Sequence, residues 1–295
     1  MSRTLGVDIG GSKVLCGLVD ENGTVLRAYG QALAPDGGAD AMLKAIADCG
    51  ARAAEGQRIQ AVGATIPGLA DAKTGTWVYA PFSGIENLPI ADKLSAMFGA
   101  PAFIENDVNA CALAEMRFGV CRDVADFLWV TVSNGVGGAV VSGGRLITGA
   151  GGNAGEIGHL CVEEDAGKAL VCGCGRVGCL EAMAAGPGIA ARYGEPGVSA
   201  KEIAGRAQAR EVHARDVMTQ TGVYLGKGLA AAVTLLNPAC VVLGGGVSQS
   251  FPLLYPAIWG ELTSRAFMQA NRSLILKQTT LGYHAALIGA AALAM

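Results

Sequence analysis

The apolar positions of this chain fall into short runs that stop at glycine instead of continuing. Leu5-Gly6-Val7-Asp8-Ile9 reads as a buried strand that breaks into the turn Gly10-Gly11-Ser12-Lys13. Residues 14–19 form a second apolar strand, Glu21-Asn22-Gly23 a hairpin turn, and residues 24–29 a third strand. Helical periodicity covers residues 39–54, and a strand follows at 61–65. A second helix at 91–98 leads to the strand Ala102-Phe103-Ile104. That strand ends in Glu105-Asn106-Asp107 and opens a helix reaching residue 117.

The opening theme then returns. Leu128-Trp129-Val130-Thr131-Val132 is a strand, Asn134-Gly135-Val136-Gly137-Gly138 a glycine turn, and Ala139-Val140-Val141 a second strand. Ser142-Gly143-Gly144 turns the chain into a third strand, Arg145-Leu146-Ile147. A long helix spans residues 212–236, followed by the strand Cys240-Val241-Val242-Leu243 and the turn Gly244-Gly245-Gly246. Residues 285–294 are alanine-rich and helical in pattern. Two strand–turn–strand–turn–strand units at the starts of two halves predict a duplicated α/β domain with a cleft between the copies. The expected division is an N-terminal lobe, residues 1–118, completed by a helix at 285–295, and a larger C-terminal lobe, 119–284.

Composition narrows the function. Apolar residues make up 51% of the 295 and charged residues 16%, which excludes a disordered chain. No apolar run reaches the ~18 residues of a membrane span, and residues 1–4 do not resemble a signal peptide, so a cytoplasmic protein is expected. The net charge of −3, without a basic run, excludes the electrostatic footprint of a nucleic-acid binder.

The chemistry-bearing residues cluster at the glycine turns and strand ends. Backbone N–H groups that cradle phosphate need glycine, because a side chain would hold the ligand away. Asp8 before Gly10-Gly11, with Ser12 and Lys13 after, sets a carboxylate suited to magnesium beside hydroxyl and ammonium donors. A tight hairpin explains one such turn equally well; three turns at strand ends favour nucleotide binding. The P-loop and G-x-G-x-x-G patterns do not fit. Glu105-Asn106-Asp107 sits where α/β proteins place ligands, and a carboxylate there can accept the proton of an attacking hydroxyl. Capping of the following helix is the alternative role, and both can hold at once.

His159 together with Cys172-Gly173-Cys174-Gly175-Arg176-Val177-Gly178-Cys179 supplies one imidazole and three thiolates, the donor set of a closed structural zinc site. Buried free cysteines are the alternative, poorly served by a glycine-rich loop with little core around it. The other cysteines, 16, 49, 111, 121, 161 and 240, read as core. Glu156 and Glu181 flank the cysteine loop.

Together these residues resemble the ROK family (repressors, open reading frames and kinases), whose kinases adopt the actin-like ATPase, ribonuclease H-like fold with two lobes around a central cleft. Asp8-Ile9-Gly10-Gly11-Ser12-Lys13 looks like its first phosphate motif and Pro67-Gly68 falls in its I-P-G loop. Glu105-Asn106-Asp107-Val108-Asn109-Ala110 resembles E-N-D-x-N-A, Gly155-Glu156-Ile157-Gly158-His159 resembles G-E-I-G-H, and residues 172–181 resemble C-x-C-G-x-x-G-C-x-E.

The resemblance implies an ATP-dependent hexose kinase of glucokinase character. Asp107 would be the general base toward the sugar 6-hydroxyl. Gly68, Asn106, Glu156, His159 and Glu181 would hold the other hydroxyls. Gly10, Gly11, Ser12, Lys13, Asn134, Gly135 and Gly137 would face the phosphates with Asp8, and Gly244 and Gly245 the adenosine. Magnesium would accompany ATP, and structural zinc would bind His159, Cys172, Cys174 and Cys179, orienting the site without performing the chemistry. The family also implies a homodimer.

Two stretches depart from the family pattern. Val132-Ser133-Asn134-Gly135-Val136-Gly137 stands where T-G-T-G-I-G is common, so Asn134 replaces a hydroxyl. Pro81-Phe82-Ser83-Gly84-Ile85 stands where N-L-x-G-W is common, near the family's sugar site. An N-acetylmannosamine or N-acetylglucosamine kinase is therefore the alternative enzyme, and a non-catalytic sugar-sensing ROK protein a further one. A repressor is disfavoured, because the phosphate motif begins at Leu5 and leaves no room for a helix-turn-helix domain before it.

Overall fold

The computed structural model describes residues 3–34, 37–80 and 84–295, with backbone only for Asn271. The chain divides into two compact units. The first comprises Met1–Asp123, Thr148–Asn153 and Thr280–Met295; the second comprises Val124–Ile147 and Ala154–Thr279. The sequence reading put the first boundary at 118 and the last at 285. The short return of Thr148–Asn153 to the first unit carries no pattern of its own.

In the first unit, β1 (Arg3–Ile9), β2 (Lys13–Asp20) and β3 (Val25–Ala32) form an antiparallel meander. After α1 (Gly38–Ala54), β4 (Ala61–Ile66) pairs parallel with β1. All six β4 residues are buried, as expected for a strand covered on both faces. A small sheet follows, made of β5 (Leu69–Asp71), β6 (Thr76–Ala80) and β7 (Ile85–Leu88). The sequence reading missed it, because its strands are short and mixed in burial and so lack a sustained two-residue period. Then come α2 (Ile90–Phe98), β8 (Ala102–Asn106), parallel to β4, and α3 (Asp107–Phe118). The large sheet runs β3-β2-β1-β4-β8.

The second unit repeats this plan. β9 (Phe127–Val132), β10 (Val136–Ser142) and β11 (Arg145–Ile147) form the meander. Helices α4 (Leu180–Ala184), α5 (Gly186–Tyr193), α6 (Ala200–Gln208) and α7 (Val212–Leu236) precede β12 (Cys240–Gly244). α8 (Phe251–Arg265), α9 (Met268–Asn271) and β13 (Ile275–Gln278) complete the unit. Its sheet runs β11-β10-β9-β12-β13, with β9, β12 and β13 parallel. Both sheets therefore share one topology, an antiparallel meander extended by two parallel strands.

The C-terminal helix (Ala285–Ala292) packs on the first sheet through missing side chains. A Cβ on Gly63 of β4 would lie 1.7 Å from the Ala290 carbonyl oxygen, and one on Gly6 of β1 would lie 2.6 Å from that of Leu287. Gly289 meets α3 the same way, 2.3 Å from the Ala110 oxygen. These contacts bring backbone against backbone at distances no side chain tolerates. Among the described residues no helix is long and apolar enough to cross a membrane.

Candidate active site and zinc centre

The first unit gathers its predicted site residues at the ends of β1, β4 and β8. The turn after β1 closes where the Gly10 N–H donates to the Lys13 carbonyl at 2.9 Å, leaving Gly11, Ser12 and Lys13 exposed. Asp8 lies half-buried just before it and accepts a hydrogen bond of 2.8 Å from Thr65 Oγ1. Burial raises the Asp8 pKa above its usual 3.8; the Thr65 hydroxyl, the Lys13 ammonium and His284 pull the other way. The Lys13 ammonium itself donates to the Tyr283 hydroxyl.

At the end of β8, Asn106 caps α3: its Oδ1 accepts from the Val108 N–H at 2.9 Å and the Asn109 N–H at 3.3 Å. Its Nδ2 donates to the Gly68 carbonyl at 3.2 Å, so two of the predicted sugar ligands are tied together. Asp107 is the first residue of α3, half-buried, and one of its oxygens accepts from the Val108 N–H at 3.0 Å. Both neighbours therefore meet the first N–H groups of α3. Glu105, which the sequence reading assigned no role, braces this corner by accepting from the Asn106 N–H at 2.9 Å and the Asn109 Nδ2 at 3.1 Å. Thr65 was missed as well. Their signal was their position at parallel strand ends.

In the second unit, β10 begins at Val136, so Gly137 and Gly138 belong to a strand and the turn is confined to residues 133–135. The predicted turn through Gly138 is corrected here: the ladder pairs Val136 with Val132 and Gly137 with Thr131, which leaves no room for a longer loop. Ser133 accepts from the Gly186 N–H at 2.8 Å, joining this turn to the start of α5. Asn134 is exposed and lines a cavity of about 780 Å³ with Ser133, Gly186, Lys201, Gly246 and Gln249. Gly244 ends β12, with the Trp129 ring lying where its side chain would be. Gly245 has φ +85°, and a Cβ there would lie 2.4 Å from the Val132 oxygen, so that turn admits only glycine.

The cysteine loop closes on itself. The Cys172 N–H donates to the Arg176 carbonyl at 2.7 Å and the Gly175 N–H to that of Cys172 at 2.9 Å, folding the C-x-C pair into one tight turn. The potential ligand atoms of His159, Cys172, Cys174 and Cys179 lie within 4.8 Å of one another. Cys172 Sγ is 3.8 Å from His159 Nδ1, and Cys174 Sγ is 3.7 Å from Cys179 Sγ. Tetrahedral zinc–sulfur bonds of about 2.3 Å require sulfurs about 3.8 Å apart, so the residues fit zinc. Burial and the neighbouring thiols push Cys179 up to about 12, while the Arg176 N–H pulls Cys174 down. Thiols that oppose joint ionisation are the kind a divalent cation stabilises as thiolates.

Glu181, in α4, is half-buried; one oxygen accepts from the Val136 N–H at 3.1 Å and the other faces the Cys172 thiol at 3.7 Å. Glu156 is exposed and His159 half-buried around the 3-10 turn Ile157–His159. Cys161, read as core, is exposed. It pairs in a single bridge with Cys179 at the rim of this loop, and its thiol faces the Glu163 carbonyl instead of an apolar layer. Cys16, Cys49, Cys111, Cys121 and Cys240 are buried as expected. Of the loop at residues 81–85, Pro81, Phe82 and Ser83 lie outside the described residues.

These two groups of residues sit on a repeated β-meander plan that also carries a Cys₃His set able to hold a metal ion. The chain belongs to the ROK family, whose sequence pattern matches residues 4–295. It is 31% identical to a glucokinase of Halalkalibacterium halodurans over 97% of this chain and 92% of that one. It is 32% identical to the DNA-binding transcriptional dual regulator NagC of Escherichia coli, over 79% of this chain and 59% of the regulator. A ROK family glucokinase from Streptomyces griseus, solved with glucose and AMPPNP, superimposes with a TM-score of 0.86 at 32% identity, covering 99% of each chain. The fold is accordingly the actin-like ATPase fold.

Proposed function

We propose that this protein transfers the γ-phosphoryl group of ATP to the 6-hydroxyl of a hexose, with glucose the preferred acceptor and Asp107 the general base. As a ROK member with glucokinase relatives over nearly the whole chain, it is an ATP-dependent sugar kinase. The observation that carries the finer reading is the corner at the end of β8. There Asn106 caps α3, reaches the Gly68 carbonyl, and leaves the neighbouring Asp107 carboxylate at the helix start. A carboxylate so placed can take the proton of an attacking hydroxyl as the phosphoryl group departs from ADP.

In this reading Gly68, Asn106, Glu156, His159 and Glu181 hold the remaining sugar hydroxyls. Asp8, Gly10, Gly11, Ser12 and Lys13 serve the phosphates, as do Asn134, Gly135 and Gly137, while Gly244 and Gly245 serve the adenosine. The cavity beside Asn134 falls in the size range of small-ligand sites and suits the base of the nucleotide. Magnesium, when bound with ATP, offsets charge on the phosphates. Zinc, when bound by His159, Cys172, Cys174 and Cys179, supplies rigidity. His159 meets the thiols through Nδ1, which fixes the tautomer at Nε2 and leaves that nitrogen for a sugar hydroxyl. The same reading makes the protein a cytoplasmic homodimer.

A second reading is an N-acetylhexosamine kinase, favoured by relatives named N-acetylglucosamine repressor at 32% identity over 79% of the chain. A coupled ADP-release assay with Mg-ATP decides between them, run over glucose, mannose, fructose, allose, N-acetylmannosamine and N-acetylglucosamine. Highest kcat/KM on glucose is expected. A preference for an N-acetyl sugar would replace the first reading with the second, and silence across the panel from zinc-loaded protein would sink both.

A further inference from the structure

Lys13 stands in the first glycine turn, exposed, on a long flexible stem that in isolation would sample many rotamers. Here it does not hang free. Its ammonium donates to the Tyr283 hydroxyl and also lies 4.8 Å from the centroid of the Tyr283 ring. The hydroxyl acceptor confines the cation to the phenol end of the ring. The Tyr283 ring is in turn flanked edge-on by His284, centroids 5.3 Å apart at an interplanar angle of 76°.

The support for this aromatic pair is rigid. His284 is the N-cap residue of the C-terminal helix, which is locked to β1 through Gly6, to β4 through Gly63 and to α3 through Gly289. β1 carries Asp8 and leads into the Gly10-Gly11 turn, so Tyr283 is anchored to the backbone that shapes that turn. His284 also acts on Asp8, offsetting with Lys13 part of the cost of burying that carboxylate. Neither aromatic residue belongs to a motif that the sequence reading singled out.

We propose that Tyr283 is a positioning residue for Lys13: it holds the ammonium over the glycine turn so that the terminal phosphates of the donor meet a preorganised cation. The inference rests on the reading that this turn faces phosphate. Ordering a long side chain on binding costs affinity, and Tyr283 meets that cost before the nucleotide arrives. Tyr283 touches neither the sugar nor the transferred group in this account, so its contribution belongs to nucleotide affinity rather than to proton transfer.

The test uses the full chain carrying Tyr283→Ala, Tyr283→Phe, Lys13→Met, or Tyr283→Ala with Lys13→Met. Mg-ATP affinity is measured by calorimetry without sugar, and KM for ATP, kcat and sugar affinity are measured alongside. Tyr283 is 72% exposed, so its loss leaves the core intact, and thermal unfolding verifies this. Tyr283→Ala is expected to weaken Mg-ATP binding by about three- to tenfold, with kcat and sugar affinity unchanged. Tyr283→Phe, which keeps the ring but removes the acceptor, should weaken binding about as much as Tyr283→Ala. The double variant should bind no more weakly than Lys13→Met alone, since the tyrosine acts through the lysine. Wild-type affinity in Tyr283→Ala, or full additivity in the double variant, overturns the proposal. Wild-type protein that binds Mg-ATP but phosphorylates no sugar defeats the kinase reading while the Tyr283 comparison still decides this one. Wild-type protein that binds no Mg-ATP defeats both.

Discussion

Thr65 Oγ1 donates to Asp8 Oδ1 at 2.8 Å, linking the ends of the parallel strands β1 and β4 at the mouth of the first glycine turn. This bond, Lys13 and His284 all favour the ionised carboxylate, yet burial outweighs them and the Asp8 pKa lies above its unfolded value of 3.8. In the window from 3.8 up through the raised value, the folded state holds more protons than the unfolded chain. Stability therefore falls as pH rises through that window, and the full cost is present above it. Asp8→Asn should gain Tm relative to wild type as pH rises from about 4 to 7, measured without nucleotide or magnesium, while losing phosphoryl transfer. A Tm difference that shrinks over that range would contradict the assigned direction.

Asp107→Asn preserves size and hydrogen-bonding shape at the start of α3 but removes the base. The expected loss in kcat is about 10²- to 10⁴-fold, the usual worth of general acid–base catalysis. Sugar affinity measured by calorimetry should stay close to wild type, because the Asn106 cap and its bond to Gly68 remain. Turnover near wild type would remove Asp107 from the role of base.

Metal analysis of purified protein should find about one zinc per chain, given the one four-ligand Cys/His set among the described residues. Cys174→Ser should lower that content and reduce Tm by at least about 4 °C, roughly 1–2 kcal/mol for a unit of this size. The KM for sugar should rise more than the KM for ATP, because His159 and Glu181 both meet the loop through Cys172. A zinc-free wild-type protein with an unchanged Tm would dismiss the site.

The legible parts of this chain are those whose determinants are local. The meander β1–β3 and its repeat β9–β11 are written as apolar runs punctuated by glycine, and α7 as a long helical period. The Cys₃His set is written as spacing, and the structure closes it through a tight turn at residues 172–176. The small sheet β5–β7 was not legible, since its three short strands of mixed burial are defined by pairing with each other. Cys161 misled for a related reason: an apolar neighbourhood in sequence says nothing about which side of a one-residue bridge faces water.

The sequence by itself determined the α/β class and the duplication, and it displayed the Cys₃His spacing and the E-N-D and G-E-I-G-H stretches on which the family resemblance rests. All of these depend on residue type, spacing and periodicity. Only the tertiary structure decided that Glu105 braces Asn106, that Thr65 holds Asp8, and that Tyr283, 270 residues away in sequence, holds Lys13. The last two join segments distant in the chain, and Glu105 reaches from β8 to Asn109 of α3 as well. The Tyr283 pairing follows the C-terminal helix, which glycine faces let approach two strands to backbone distance, and no local pattern encodes that.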